Sequence, residues 1–476
     1  MLTMLGSGRR CCDGITRRET LQAGSLALLG SLGIPGIGRA ATAPQPTFEG
    51  KAKNVILLYL LGGAPTQDMW DLKPKAPSEV RGEFNPIPTN VPGIDICEHL
   101  PRMSQWMHKA AIVRSLNHTA GCHNCLPGYT GLERSVDTNT TSPSYPPSMG
   151  SVVSYLTRGQ NTVPPYVYLP AHLGWGQLVR RPGPYAGYLG QKYDPLFSQC
   201  APFIDKPPEV RDYPQVLRGM PVLGDSELQA GITVDRLNTR QTLLSQLDDE
   251  FRRAGQQAES RGYSGMQLAA LDLLTRSKVK AAFDVSQEDP ALQDRYGKYL
   301  FGSSTLVARR LLEAGVRFVN VTWDCYWERL QLQNAAWDTH WRAFGILKEY
   351  NLPWFDMTYT ALMEDLEARG LLDETLVVTM SEMGRSYWVN KEAGREHWTH
   401  CYSVMLAGAG IRGGSVYGAS DDRAAYVFDK PVSTGDICAT VFQALGIDPT
   451  TTTVPDATGG PHHLANGGQP LWDILA

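Results

Sequence analysis

The stretch that most constrains this chain runs from Thr375 to His400, where a short apolar segment ends abruptly in charged residues. The segment Thr375 to Met380 reads Thr-Leu-Val-Val-Thr-Met, and such a run predicts a strand buried in a parallel sheet. Open α/β sheets bind their ligands beyond the carboxyl ends of the strands. We therefore expect Glu382 and Arg385, which follow this strand, to lie where such a fold keeps its chemistry.

The loop that follows adds groups with metal-binding chemistry. It carries Arg395, Glu396, His397 and His400. A carboxylate at a strand end and histidines on the next loop match one half of a divalent-metal site. The alternative is a strand capped by a solvated loop with incidental histidines, and this stretch alone leaves both interpretations open.

Apolar runs that end in polar residues recur along the chain and alternate with helical spacing. We predict strands at residues 54–61, 111–116, 166–170, 316–322, 375–380 and 403–407, and helices at residues 100–106, 306–314, 355–369 and 436–445. Helix and strand follow each other in the order expected of an α/β protein. The predicted fold class is therefore α/β, with a doubly wound, mostly parallel sheet flanked by helices.

Two other predicted strands also end in groups that suit a site. The first strand ends in Gly62-Gly63, where the absence of side chains lets the backbone approach a ligand closely, and Asp68 follows. The strand at 111–116 leads into a loop that carries His123. The alternative for the first strand is an ordinary turn into a helix, with Asp68 as the helix N-cap.

The sequence Trp337-Asp338-Thr339-His340 places an aspartate and a histidine two residues apart, at the start of a predicted helical segment. An aspartate and a histidine this close in sequence can share one metal ion, or the aspartate can orient the histidine. The alternative is an N-cap aspartate beside a surface histidine.

The N-terminal segment has the pattern of an export signal. Arg17-Arg18 precedes a mildly apolar run at residues 23–37, and alanines follow near residues 40–43. The run is too short and too rich in glycine for a membrane-spanning helix. Residues 1–43 resemble a twin-arginine export signal, which implies a periplasmic or secreted protein; the alternative is an uncleaved N-terminal anchor.

The charge balance argues against a nucleic-acid binder. The chain has 44 Lys and Arg residues and 48 Asp and Glu residues, which gives a net charge of -4. No basic surplus is therefore available to neutralise phosphates. We predict a single α/β domain over residues 44–476, with a loop-rich and helical insertion at about residues 170–315. Arg180 and Arg181 of this insertion are candidates for the lining of a substrate pocket. The sequence gives no oligomeric state.

Five motifs in a fixed order carry a resemblance to a known family. They are GGAPTQDMWDLKP at 62–74, the helix–strand unit at 307–321, WDTH at 337–340, TLVVTMSEMGR at 375–385 and GREHW at 394–398. The chain resembles the DUF1501 family, exported bacterial proteins of the alkaline phosphatase/sulfatase-like superfamily, over residues 54–475. The resemblance implies divalent metal ions at the strand ends of a doubly wound sheet and the cleavage of phosphate or sulfate esters.

The resemblance also implies roles for single residues. One or two divalent ions (Zn, Ca, Mg or Mn) would be held by a set of carboxylates and imidazoles: Asp338, His340, Glu382 and His397, with Asp68 or Asp71 as a substitute for the strand-end aspartate of the superfamily. Met383 stands where the superfamily motif has a metal-binding histidine, so that ligand is missing here.

The anion and the nucleophile are assigned less completely. Arg385 or Arg395 would hold the oxyanion, because the guanidinium fork suits it. The Cys-x-Pro-Ser-Arg pattern of sulfatases is absent, and Cys122 or His123 stands closest to the expected position of the nucleophile.

Three functions remain open at the level of the sequence. The first is a metal-dependent hydrolase acting on a small-molecule or glycan ester. The second is a superfamily member that has lost its chemistry and binds an anionic glycan or an envelope partner. The third is a structural envelope protein without a pocket.

Overall fold

The computed structural model describes residues 50–158, 163–174, 179–200, 217–223, 278–324 and 336–476. The predicted export signal at residues 1–43 lies outside the described residues, as does much of the predicted insertion. Within the described ranges, no helix combines the length and the apolar character needed to cross a membrane.

An eight-stranded sheet forms the centre of the fold. Its strands in chain order are β1 (Asn54–Leu60), β2 (Ala110–Leu116), β3 (Tyr166–Leu169), β4 (Leu196–Phe197), β5 (Phe318–Trp323), β6 (Thr375–Met380), β7 (Tyr402–Gly408) and β8 (Ser415–Tyr417). Across the sheet the order is β8-β2-β7-β6-β1-β5-β3-β4. Every neighbouring pair is parallel except the two pairs made by β7, which runs antiparallel to both β6 and β2.

Five two-stranded pairs complete the strands of the described residues. They are Pro86–Pro88 with Asp95–Cys97, Gln199–Cys200 with Pro221–Val222, Gly384–Arg385 with His397–Trp398, Ala419–Ser420 with Val427–Asp429, and Thr453–Pro455 with Pro461–His463. The pair Gly384–Arg385 with His397–Trp398, which we call the site ribbon, follows β6 directly.

Helices pack on both faces of the sheet. They are α1 (Ser78–Arg81), α2 (Leu126–Thr130), α3 (Met149–Leu156), α4 (Lys278–Phe283), α5 (Pro290–Tyr296), α6 (Leu300–Glu313), α7 (Ala343–Ile346), α8 (Leu352–Ala368) and α9 (Thr434–Ala444). Helices α6 and α8 share one apolar core with the face of β1 that carries Ile56 and Leu58. On the opposite face, Gly128 of α2 approaches Tyr59, and Gly150 of α3 approaches Tyr166.

Short helical turns connect these elements. The 3-10 turns are Thr66–Asp68, Met103–Lys109, Gly187–Leu189, Gln191–Tyr193, Val285–Gln287, Leu372–Glu374, Leu464–Gly467 and Trp472–Ile474, and a π-helical turn at Leu347–Asn351 joins α7 to α8. The π turn inserts one residue into the ladder of a helix that otherwise continues from α7 through α8.

The predicted fold class is confirmed: the structure is α/β, with a mostly parallel sheet between two layers of helices. All residues of β5 and β6 are buried, as expected of strands covered on both faces. Each of the six predicted strands is present within two residues of its predicted start and end.

Two local predictions are wrong. Residues 338–340 do not begin a helix, because α7 starts only at Ala343 and the preceding residues form bends. The predicted helix at residues 100–106 is a 3-10 helix at Met103–Lys109. Its amino end is held by Asp356, whose carboxylate accepts the backbone N–H groups of Arg102 and Met103.

Candidate metal centre

The carboxyl ends of β1 and β6 are tied together beneath the site. Ser381, the residue after β6, donates its hydroxyl to Leu60 O and accepts the backbone N–H groups of Gly63 and Ala64 at 3.1 and 3.2 Å. Gly62 has φ +112°, and a Cβ there would lie 2.5 Å from the backbone nitrogen of Asp338. Because Gly62 has no side chain, Asp338 can lie close to the end of β1.

The half-buried carboxylate of Asp338 is the centre of the cluster. Its Oδ1 lies 3.0 Å from Nε2 of His340 and 3.0 Å from Nε2 of His397. Its Oδ2 lies 3.3 Å from Nε2 of His123. Asp338, His123 and His397 each offer one ligand atom within 4.8 Å of the others, so three imidazoles converge on one carboxylate.

Two of these histidines are oriented by a glutamate at their other ring nitrogen. Nδ1 of His340 lies 2.7 Å from Oε2 of Glu396, and Nδ1 of His123 lies 3.3 Å from Oε1 of Glu382. Asn390 donates to the second oxygen of Glu396 at 2.6 Å. A carboxylate that takes Nδ1–H leaves the Nε2 lone pair free for a metal, and metal-binding histidines generally have such a partner.

His123 reaches the cluster from the loop after β2. It has φ +53°, a left-handed conformation that is uncommon for a residue with a side chain. Backbone strain of this kind persists where the surrounding structure holds it, and it concentrates at functional sites. The loop is anchored by Asn124, whose amide donates to Ala120 O and Arg134 O at 3.0 and 2.8 Å.

The protonation of the cluster follows from these contacts. Burial raises the pKa of Asp338, but its bonds to the histidines outweigh this and hold the pKa far below the ordinary value. Burial lowers the pKa of His123, but the carboxylates of Asp338 and Glu382 raise it above the ordinary value. Burial lowers the pKa of His397. Asp338 is therefore ionised at neutral pH, as a metal ligand must be.

The donor atoms of His123, Asp338 and His397 lie close enough together to share one divalent transition-metal ion. Ligands that share one zinc ion at about 2.0–2.1 Å lie roughly 3.0–3.4 Å from one another, and the distances from the imidazoles to Asp338 fall in this range. His340 is outside this group and adjoins it, with Nε2 3.0 Å from both Asp338 Oδ1 and His397 Nε2.

Arg385 lies on the site ribbon, and its side chain is fully buried. One of its nitrogens, Nη1, donates to Asp338 Oδ1 at 2.7 Å and to Gly62 O at 3.2 Å. The other two nitrogens, Nε and Nη2, are buried and have no acceptor among the described residues. Buried guanidinium donors without a partner are rare and costly, and they suit the oxygens of an anionic ligand.

Asp68 and Arg395, both predicted as site residues, pair with each other instead. Arg395 donates through Nε to Asp68 Oδ2 at 2.7 Å and through Nη2 to Asp68 Oδ1 at 2.8 Å. Its remaining N–H groups donate to the carbonyls of Val80, Ser386 and Tyr387. Because the N–H groups of Arg395 all have acceptors and both oxygens of Asp68 are paired, we interpret this pair as structural. We therefore propose neither a metal-ligand role for Asp68 nor an oxyanion role for Arg395.

Glu382 lies beside the cluster. Its Oε1 accepts the N–H of Gly62 at 2.9 Å and faces Nδ1 of His123, and its Oε2 lies 3.1 Å from Oγ of Ser381, whose hydroxyl donates to Leu60 O. The geometry is that of an orienting partner of His123, and the predicted role as a direct ligand stays a prediction. Met383 is buried against Gly63, so no ligand replaces the missing histidine there.

Sequence reasoning named Glu396 among the groups of the loop without giving it a specific role, and it gave no role to Asn390 and His118. His118 is buried, accepts the N–H of Ala120 at Nδ1 and places Nε2 2.7 Å from the backbone oxygen of Glu382. The signal for Glu396 was its position beside His397 in the GREHW motif. No comparable signal marks His118, because its contact with Glu382 is 264 residues distant in sequence.

Comparison with solved structures gives distant similarities. A sulfatase from Pseudoalteromonas sp. is 12% identical with a TM-score of 0.35, over 94% of this chain and 74% of that chain. A phosphonate monoester hydrolase from Silicibacter pomeroyi is 12% identical with a TM-score of 0.32, over 88% and 76%. A protein in the alkaline phosphatase superfamily from Vibrio parahaemolyticus is 10% identical with a TM-score of 0.32, over 90% and 72%.

These similarities are too low to assign an activity. No curated protein matches the chain. Residues 52–475 match the family described as "Protein of unknown function (DUF1501)", and this match extends over nearly all of the described structure. The chain therefore belongs to the DUF1501 family.

Proposed function

We propose that this protein is a metal-dependent hydrolase of sulfate or phosphate esters. The observation that carries the proposal is the convergence of imidazoles on the carboxylate of Asp338, beside the donors of Arg385 that have no acceptor among the described residues. In this proposal His123, His397 and Asp338 would hold one divalent ion, and His340 adjoins it through its contacts with Asp338 and His397. Arg385 binds the anionic oxygens of the substrate.

The donor set favours zinc among the four metals that the family resemblance left open. Calcium and magnesium prefer sites made of oxygen ligands, whereas imidazole suits zinc. Catalytic zinc centres generally have three protein ligands, and His123, Asp338 and His397 would supply them here. His340, whose side chain is 26% exposed beside that of Glu396 at 46%, would face the solvent side of this centre.

A bound zinc ion supplies Lewis-acid polarisation of an ester oxygen. The residues of the chain supply the rest. The Nε–H and Nη2–H donors of Arg385 point from a fully buried guanidinium, where hydrogen bonds to an anion are stronger than in water. Since these donors are fixed before the substrate binds, they act as a preorganised anion site.

A second function, binding without turnover, is favoured by one specific observation. The position equivalent to a second metal-binding histidine holds Met383, which is buried against Gly63. Cys122 is an exposed free thiol and is outside the cluster of His123, Asp338 and His397. In the binding function, the same centre and Arg385 hold an anionic glycan or an envelope partner. Export to the periplasm or the exterior belongs to both proposals.

The experiment is a hydrolysis assay with 4-nitrophenyl sulfate and 4-nitrophenyl phosphate, on protein loaded with one equivalent of zinc. Three proteins are compared: the parent, Asp338→Asn and Asp456→Asn. The last is a matched control, because it alters an Asp–His pair (with His462, at 2.9 Å) on the exposed hairpin at Thr453–His463. We expect turnover by the parent and by the control, and none by Asp338→Asn.

Two other outcomes decide against the hydrolase. Zinc bound by the parent without turnover of either ester favours the binding function. Turnover that survives unchanged in Asp338→Asn places the chemistry elsewhere and contradicts the proposed centre.

A further inference from the structure

Arg181, in the insertion after β3, reaches the loop that carries His123. Its Nη1 donates to the backbone oxygen of His123 at 2.9 Å. The residue is 3% exposed, and its own backbone N–H donates to Leu173 O at 3.0 Å. A buried guanidinium that holds a backbone carbonyl fixes the peptide unit to which that carbonyl belongs.

The contacted residue is the one with a strained backbone. His123 has φ +53°, and such a conformation persists only where neighbouring groups hold it. Asn124 fixes the far side of the same peptide unit through Ala120 O and Arg134 O. Arg181 supplies the contact on the near side, so the two side chains together determine where the imidazole of His123 points.

The imidazole of the same residue is held from its other side by Glu382, whose Oε1 lies 3.3 Å from Nδ1 of His123. A carboxylate that accepts Nδ1–H directs the Nε2 lone pair away from itself, here toward Asp338 Oδ2 at 3.3 Å.

We propose that Arg181 is a positioning residue of the metal centre, which holds the strained His123 backbone and so sets the direction of its Nε2 atom. Arg181, from the described part of the chain after β3, thereby contributes to the site. The inference rests on the proposed function, because it concerns the same metal ion.

The test measures the dissociation constant for zinc by competition with a chromophoric chelator, on four proteins: the parent, Arg181→Gln, Arg181→Lys and Arg158→Gln. Arg158 is the control, since it is an exposed arginine just after the end of α3. Loss of an orienting contact typically weakens metal binding about 10–100-fold, and we expect this for Arg181→Gln. We expect partial recovery in Arg181→Lys, which keeps one donor and the charge, and no change in Arg158→Gln.

Visible absorption of the cobalt-substituted proteins is the second readout. A shifted ligand-field spectrum in Arg181→Gln, with the thermal unfolding transition retained, supports a reoriented ligand. Loss of the unfolding transition in both Arg181 variants would show that the contact serves the fold in general, and would overturn the positioning role.

The remaining outcomes separate the two proposals. A zinc affinity and a cobalt spectrum unchanged in Arg181→Gln overturn the inference and leave the hydrolase proposal intact. Weaker zinc binding in Arg181→Gln, together with a parent that hydrolyses no ester, supports the inference and counts against the hydrolase. A parent that binds no zinc overturns both.

Discussion

The two buried arginines of the site ribbon and its loop, Arg385 and Arg395, look alike in sequence and differ in their surroundings. Both side chains are at most 1% exposed, and both pair with an aspartate. Arg395 uses all of its nitrogens, two on Asp68 and the rest on carbonyls. Among the described residues, Arg385 finds acceptors only for Nη1. The saturated arginine has a fold contact at every nitrogen, whereas the donors of the other are the ones that we propose bind an anion.

The partner aspartates differ in the same way. Asp68 receives a bidentate bond from one arginine, and its carboxylate is 3% exposed. Asp338 is shared among three histidines and Arg385, and its carboxylate is 24% exposed. A buried carboxylate that is paired with one cation through both oxygens forms a structural ion pair. In our proposal, a carboxylate that is shared by several imidazoles attracts a metal cation.

The largest effect on stability is expected from the saturated pair. Arg395→Gln leaves Asp68 buried without its cation, which typically costs about 3–5 kcal/mol of unfolding free energy. Denaturant unfolding measures this loss, and zinc affinity should stay within twofold of the parent. The double variant Asp68→Asn, Arg395→Gln is the control, and it should recover part of the loss. A collapse of zinc affinity at unchanged stability would contradict the structural role.

The unsaturated arginine should show the opposite pattern. Arg385→Gln removes the anion-binding donors, and loss of one preorganised donor typically lowers kcat about 10²–10³-fold, or about 2.7–4 kcal/mol. Steady-state kinetics with the 4-nitrophenyl esters measures this, alongside the unfolding free energy. An unfolding loss as large as that of Arg395→Gln, with kcat preserved, would reverse the assignment of the two arginines.

A smaller effect is expected at the exposed orienting glutamate. Glu396→Gln keeps the shape of the side chain but weakens the hold on Nδ1 of His340, so zinc should bind about 10–100-fold more weakly. Glu392→Gln is the matched control, because Glu392 is an exposed glutamate of the same loop. Isothermal titration measures both affinities. Equal affinities in the two variants would remove His340 from the centre.

The smallest expected effect is a pH dependence of stability, which His123 should cause and the Asp68–Arg395 pair should not. The pKa of His123 is raised in the folded state, because the carboxylates of Asp338 and Glu382 outweigh burial. A raised pKa means that the folded state holds its proton more tightly, so the stability from His123 is complete below its unfolded pKa, about 6.5. That stability is lost as pH rises through the folded value.

The unfolding free energy of the metal-free parent should therefore exceed that of metal-free His123→Gln at about pH 6. This difference should shrink as pH rises to about 8, by less than about 1.4 kcal/mol for each pKa unit of the shift. The loss caused by Arg395→Gln should stay constant over the same range, since no histidine contacts the Asp68–Arg395 pair in the described structure. Unfolding free energies at several pH values check both expectations. An advantage that grows with pH would contradict the assignment.

The strands could be predicted from the sequence because their physical cause is local. The run at Thr375–Met380 is apolar and β-branched, and burial on both faces follows from that composition. The direction of β7 could not be predicted, since an apolar run of this length fits either orientation. Its antiparallel pairing with β6 depends on the path of the intervening site ribbon.

The sequence indicates which residues lie close together in the candidate site, but not which hydrogen-bond partners they have. Strand ends and motif spacing indicated Asp338, His340, His397 and His123, and the structure brings them together. Glu382 was placed at the right strand end, but nothing local indicates that its Oε1 accepts the N–H of Gly62 and faces His123. Asp68 and Arg395 pair across 327 residues, so only the folded chain shows which arginine is saturated.

The most direct test of the proposed metal centre is the zinc content of protein purified without chelator, measured by elemental analysis on the parent and on the double variant Asp338→Ala, His397→Ala. We expect one zinc per chain in the parent and none in the double variant, with both proteins folded by circular dichroism. A folded parent without bound metal, also after dialysis against zinc, would contradict it. Zinc retained at full occupancy by the double variant would contradict it equally, because the ion would then lie at another site.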